Sequence, residues 1–308
     1  ISRFYGESEQ HVLDYTFQTT ENMHSEADIR QTLAEHHLDT RFSDLFEMKV
    51  GHINTSDDTR NAFRMEPVMN ALRDMPSSAD RDVLLNNLQF TTYPYLISLS
   101  SDNRVLTAAD MPVLELGTDE AAVYIDSSFT TNGRTRMLNE VFRSRPETVL
   151  DGNPLFLTGT VQTTKLVTDR TITLSFALIL PDDVFERYTQ GSYSVYLNGI
   201  LAQDMARDTS LMSAISEMNS ALDGTGLSYE SYLQNMGRQL FYMVAASYIT
   251  IYLAIIFLLI ANTVIGVQFL MGQQKSGRRY RTLIRLGAPY RTLCRSARKQ
   301  IRWYFGIP

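Results

Sequence analysis

Leu240-Phe-Tyr-Met-Val-Ala-Ala-Ser-Tyr-Ile-Thr-Ile-Tyr-Leu-Ala-Ile-Ile-Phe-Leu-Leu-Ile-Ala-Asn-Thr-Val-Ile-Gly-Val267 is the stretch that decides the architecture of this chain. It lies inside a longer run, between Arg238 and Lys275, that holds no charged residue. A bilayer core takes about 20 apolar residues as a helix. At ~1.5 Å per residue the quoted run would reach roughly 42 Å, so it should tilt or project beyond the lipid. A buried helix of a soluble protein rarely needs so long an uncharged stretch. The expectation is one transmembrane helix over 239–271.

Charge divides sharply on either side of this run. Every Asp and Glu lies at or before Glu230, so residues 1–238 carry 18 basic against 34 acidic residues, a net −16. Residues 239–308 carry ten basic residues and no acid, a net +10. The positive-inside rule then predicts an acidic extracytoplasmic domain over 1–238 and a basic cytoplasmic segment over 272–308, and an outer domain without cysteine suits a bacterial cell membrane. A basic tail could also bind nucleic acid, but its place directly after a span argues against that partner. Cys294 is the single cysteine and falls in the basic segment, so the outer domain has no disulfide and must rely on its apolar core. The chain opens at Ile1 without a Met or a signal peptide and stops at Pro308 after an aromatic run. It therefore reads as a fragment of a longer chain, with targeting encoded upstream and a further span to follow.

Within the span, Ala246, Thr250 and Ala254 put small residues at four-residue spacing, which lets a second helix approach closely. Asn262 sits deep in the apolar run, where an unpaired amide is costly and calls for an interhelical partner. Both features predict other transmembrane helices of the same protein as neighbours.

The outer region shows mixed periodicity and reads as α+β. Ser25-Glu-Ala-Asp28 has capping-box spacing, with Asp in place of Glu or Gln, opening a helix through about His37. Glu66 to Asp74 and Ala79 to Leu88 read as short helices separated at Pro76-Ser-Ser. Tyr95 to Ser100, Val113 to Leu116 and Ala121 to Ile125 read as strands, and Asn132-Gly133 as a turn. After Asn153-Pro154, Leu155 to Val161 and Thr171 to Leu180 read as strands, with Thr168-Asp-Arg-Thr171 between extended pieces. Pro181-Asp-Asp starts a helix through about Tyr188. Residues 199–222 and 228–240 read as helices split by Asp223-Gly-Thr-Gly226, the second continuing into the span with 228–238 as a helical stalk.

Enzymatic signatures are missing. There is no Gly-rich loop ending in Lys-Ser or Lys-Thr, no Gly-x-Ser-x-Gly elbow and no His-Glu-x-x-His helix. The histidines are His11, His24, His36, His37 and His52. On a helix the adjacent pair His36 and His37 would point about 100° apart and make a poor metal site. No enzymatic activity, cofactor or metal is expected of this chain.

The basic segment is more telling. Tyr280, Leu283 and Ile284 share a helical face, Gly287 stands where a helix would end, and Pro289 suits the first turn of the next. In that second helix Arg291, Arg295, Arg298 and Arg302 form a basic stripe beside Tyr290, Leu293, Ala297, Ile301 and Tyr304. Anchoring on anionic lipid would account for the arginines but does not require the punctuated turn Leu286-Gly-Ala-Pro289.

Tyr280-Arg-Thr-Leu-Ile-Arg-Leu-Gly-Ala288, after a long span and before Arg298-Lys-Gln-Ile-Arg-Trp-Tyr-Phe-Gly-Ile-Pro308, resembles the FtsX-like permease domain of the FtsX/MacB superfamily of ABC transporters. The likeness is to the Gram-positive branch that includes bacitracin-export-type permeases, and it is strongest over about 228–308. It implies that Leu283, Arg285, Leu286, Gly287 and Ala288 sit at or near the contact with an ABC ATPase subunit. Relatives often carry an acidic residue before Leu-Gly-Ala, whereas this chain reads Arg278-Arg-Tyr-Arg-Thr-Leu283. The resemblance implies a permease subunit that passes ATP-driven motion to the outer domain. The target would be a cationic peptide, a lipid-linked molecule, a lipoprotein or a cell-wall hydrolase, and a −16 domain favours cationic ligands. A sensor kinase would be a further partner of the permease. The rival expectations are a membrane-anchored extracytoplasmic sensor or receptor with a cytoplasmic signalling end, and a cell-wall scaffold. A sensor would need sustained heptads after the span, and the helix instead breaks at Gly287.

Overall fold

The structure is a computed structural model that describes residues 12–18, 25–55, 62–168, 172, 174–202 and 211–305. It divides into two compact units, Ile1–Gly237 and Arg238–Pro308.

The first unit is mixed α/β. Along the chain it runs β1 (Tyr15–Gln18), α1 (Glu26–Glu35), β2 (Phe42–Gly51), β3 (Phe63–Arg64), α2 (Glu66–Asp74), α3 (Ala79–Leu88), β4 (Tyr95–Ser98), α4 (Leu99–Ala108) and β5 (Glu120–Tyr124). It continues through α5 (Asn132–Phe142), β6 (Glu147–Leu150), β7 (Asn153–Leu157), β8 (Ala177–Leu180), α6 (Asp182–Thr189), β9 (Tyr193–Leu201), α7 (Leu211–Leu222) and β10 (Tyr229–Ser231). The described strands form one sheet in the order β10-β1-β9-β2-β4-β8-β5-β7-β6-β3. β4 pairs with β8 and β5 with β7 in parallel, while the remaining joins are antiparallel.

Successive strand side chains face opposite sides, and the central strands bury both. Leu96, Ala121, Val123, Leu178 and Leu180 join the core beneath α2, α3, α5 and α6. Their alternates Ile97, Ala122, Tyr124, Ala177 and Ile179 join the core on the α4 side. Ala177-Leu-Ile-Leu180 is therefore apolar at every position, as a strand covered on two faces must be. A third cluster, with Tyr15, Phe17, Phe42, Ile29, Leu33, Ile215 and Met218, lies where α1 and α7 cover the β10-β1-β9 end. The Tyr15 ring meets Phe42 edge-on at 5.7 Å. Gly199 makes room for that ring, since a Cβ there would stand 2.8 Å from Phe42 Cε1.

Several expected elements form as read. Ser25 caps α1 by accepting from the Asp28 N–H at 3.3 Å, and Ser78 caps α3 by accepting from the Arg81 N–H at 3.2 Å. α1 stops at Glu35, and His37 turns the chain at φ 54.

Other elements differ, each for a local reason. Asn132-Gly133 is the first turn of α5 because Thr131 takes the cap position, accepting from the Arg134 N–H at 3.3 Å. Val113–Leu116 is not a strand. There the Asn103 side chain does a neighbouring strand's work: Leu114 N–H donates to Oδ1 at 2.7 Å, and Nδ2 donates to Leu114 O at 2.9 Å. β4 ends at Ser98 and Leu99 already opens α4, with Ser98 Oγ donating to Ser101 Oγ at 2.7 Å across the first turn. The strand expected to Val161 stops at Leu157, with Gly159 turning at φ 77. The strand expected from Thr171 begins at Ala177, and 169–171 and 173 lie outside the described residues. Residues 199–201 extend β9, held by pairing of Gly199 with both Tyr15 and Leu45. Residues 229–231 are the edge strand β10, so the expected stalk is not helical before Tyr232.

After β10 comes α8 (Tyr232–Arg285), which belongs to the second unit from Arg238 onward, and then α9 (Tyr290–Phe305). Over Phe241–Arg285, 45 residues, α8 is long and apolar enough to cross a membrane, and none of its most apolar window is buried.

Candidate functional site

The functional candidates lie at the two ends of α8. At its start, Ser231-Tyr-Leu-Gln234 is a reciprocal capping box: Ser231 N–H donates to Gln234 Oε1 at 3.2 Å, and Gln234 N–H donates to Ser231 Oγ at 3.3 Å. Ser231 is buried and its Oγ also accepts from Asn219 Nδ2 of α7 at 3.2 Å. Tyr232 N–H donates to Asp14 O at 2.9 Å, and Asn235 Nδ2 donates to Thr168 O.

Behind this first turn lies a buried polar network. Thr16 Oγ1 donates to Asn198 Oδ1 at 2.7 Å, and Asn198 Nδ2 donates to Leu166 O at 2.8 Å. Thr168 N–H donates to Thr16 Oγ1 at 2.9 Å, while Thr168 Oγ1 donates to Glu230 O at 3.1 Å. Hydrogen bonds of this kind are strong in low dielectric and costly to break. They tie β1, β9, β10 and the 166–168 segment to the first turn of α8. The sequence reading missed this anchor. The signal is Ser-x-x-Gln before an apolar run, hidden because 228–240 reads as one helix that already includes Ser231.

At the far end, α8 closes with a Schellman motif. Gly287 N–H donates to Ile284 O and Ala288 N–H to Leu283 O, both at 3.0 Å, with Gly287 at φ 89. Gly287 thus stands where the sequence placed it, at the helix end. The turn presents Leu283, Ile284, Leu286 and Tyr290, at 42%, 48%, 78% and 71% exposure, beside an exposed Arg285. Ala288 is the more enclosed member of the turn. In α9, Arg291, Arg295, Arg298 and Arg302 are exposed, and Leu293, Cys294 and Ala297 less so.

The expected packing residues of the span, Ala246, Thr250, Ala254 and Asn262, are all exposed. Thr250 Oγ1 donates to Ala246 O at 2.8 Å, and Ser247 and Thr263 bond back one turn in the same way. Such back-bonds satisfy hydroxyls where no water is at hand.

No group of three or more metal-ligating side chains occurs among the described residues. His11 and His24 lie outside them. His36 and His37 fall at the end of α1 rather than along a helix. His52 stacks on Tyr93 with ring centroids 4.8 Å apart and lies tilted against Tyr95 at 4.1 Å, and burial lowers its pKa. The unexpected group is Asp102 in α4. It is 1% exposed, its Oδ2 has no hydrogen-bond partner, and burial pushes its carboxyl up to about 7. Its sequence signal is positional, since Asp102 shares the α4 face of the buried Val105 and Leu106 at helical spacing.

A scan against protein-family models finds no match, and a search of curated proteins finds no significant relative.

Proposed function

We propose that this chain is part of a permease subunit of an ABC transporter of the FtsX/MacB type, with 1–238 outside the cytoplasm and 272–308 within it. In this reading α8 crosses the membrane among other helices of the same permease, which pack on Ala246, Thr250 and Ala254 and pair Asn262. The turn at Leu283, Arg285, Leu286, Gly287 and Ala288 contacts a partner ATPase subunit, and nucleotide-driven closure of the ATPase shifts it. α8 relays that shift to the sheet, whose acidic surface engages a cationic peptide or a lipid-linked molecule. A relay requires two states with different contacts at both ends.

One observation carries the reading. The helix that can cross a membrane starts in a reciprocal capping box on a sheet edge and ends in an exposed, arginine-flanked Schellman turn. A plain anchor needs neither terminus built in this way.

The test is to co-express the chain with the ABC ATPase subunit proposed as its partner and substitute Gly287→Val or Leu286→Glu. At φ 89 a β-branched residue is strained and the Schellman bonds open. Both variants should insert in the membrane and lose stimulation of the ATPase. Normal copurification with unchanged ATPase activity in both would refute the coupling role.

A further inference from the structure

α8 does not end with its apolar run. It stays helical through Gly272–Arg285, where Lys275, Arg278, Arg279 and Arg281 follow within a rise of ~9 Å. At about 100° per residue these four positions fall on one side of the helix, and Ser276, Gly277 and Tyr280 on the other. The structure agrees with that division: Arg278, Arg279 and Arg281 are exposed, while Ser276, Gly277 and Tyr280 are more enclosed. No acidic residue follows Glu230, so none of these cations has a carboxylate within its own unit. Their spread matches the Debye length of ~8–10 Å at ordinary ionic strength. All four therefore feel the same charged plane when the apolar run occupies a bilayer.

We propose that the Lys275, Arg278, Arg279 and Arg281 side of α8 is a binding surface for anionic phospholipid headgroups, collecting a shell of acidic lipid around this end of the helix. The proposal rests on the reading of α8 as a membrane-crossing helix. Charge complementarity selects the occupant: with the apolar run in a bilayer, the headgroup layer is an anionic surface within a Debye length of all four positions. It also orients the helix, with the cationic side toward lipid and the Ser276, Gly277 and Tyr280 side toward neighbouring protein.

The experiment is to reconstitute the full chain in phosphatidylcholine vesicles holding about one-third phosphatidylglycerol. Association of spin-labelled phosphatidylglycerol with the protein is then compared with that of spin-labelled phosphatidylcholine. Phosphatidylglycerol should be selected at least about fivefold. That preference should fall to near parity at about 1 M salt, where the Debye length is ~3 Å. It should also fall to parity in a Lys275→Gln, Arg278→Gln, Arg279→Gln, Arg281→Gln variant. The same four changes at Arg291, Arg295, Arg298 and Arg302 should leave most of it. Parity in the unmodified chain at low salt, or undiminished selection in the first variant, overturns the proposal. Parity together with salt-sensitive capture of an acidic partner protein would overturn it in favour of a protein occupant. Alkaline carbonate extraction of each sample separates the two readings. A chain released from vesicles refutes the membrane crossing itself, whereas an integral chain without lipid selection refutes only the headgroup site.

Discussion

Replacing Asp102 by Asn should stabilise the first unit at neutral and alkaline pH, and the size follows from the site. The carboxyl is 1% exposed, Oδ2 accepts no hydrogen bond, and the folded protein raises its pKa from 3.8 to about 7. The folded state therefore holds this proton more tightly than the unfolded chain does. Between those two values the native state binds more protons, so the contribution of Asp102 is fully present below about pH 4 and is lost as pH rises through about 7. At ~1.4 kcal/mol per pH unit the loss amounts to about 4 kcal/mol as an upper bound. The nearby Tyr124 phenol, itself raised by burial and by Asp126, offers no compensating positive charge. Asp102→Asn removes the titration while nearly preserving shape. Denaturant unfolding of both proteins at about pH 8 should favour the variant by roughly 2–4 kcal/mol, and the gap should close toward about pH 4. A variant no more stable at the higher pH, or a gap independent of pH, would show that Asp102 is not a buried titrating group.

Two further substitutions probe the anchor and the core. Ser231→Ala removes the cap of α8 and leaves Gln234 N–H and Asn219 Nδ2 without their acceptor, at a cost of about 1–3 kcal/mol. Hydrogen exchange should then quicken at residues 232–236 before it does in the central strands, and uniform exchange would refute the local anchor. Gly199→Ala drives a methyl against the Phe42 ring, which packs on Tyr15 and Phe17, and should cost about 1–3 kcal/mol of unfolding free energy. Rescue by Phe42→Leu in the same background would show that the ring contact is responsible, and its failure would point to strand pairing instead.

The parts legible in the sequence are those set by local or one-dimensional physics. The uncharged run after Arg238 specifies a helix long enough for a membrane whatever surrounds it, because length and apolarity alone decide that property. Gly287 marks the end of α8 because only a residue at ease with positive φ closes a Schellman turn cheaply. Ser25 and Ser78 open their helices by bonds that span three residues. What the sequence hid depends on partners far along the chain. Gly199 to Leu201 look helical in isolation but are strand, because Tyr15 and Leu45 flank them in the sheet. Val113–Leu116 looks like a strand, yet its backbone is satisfied by one Asn103 amide. Asp102 looks like an ordinary solvated acid until α4 lies down on the sheet and removes its water. The anchoring of α8 belongs to the same class. Thr16, Asn198, Thr168 and Ser231 are unremarkable apart, and become one satisfied network only when strands distant in sequence come together, since a buried hydrogen bond has no preference for sequence neighbours.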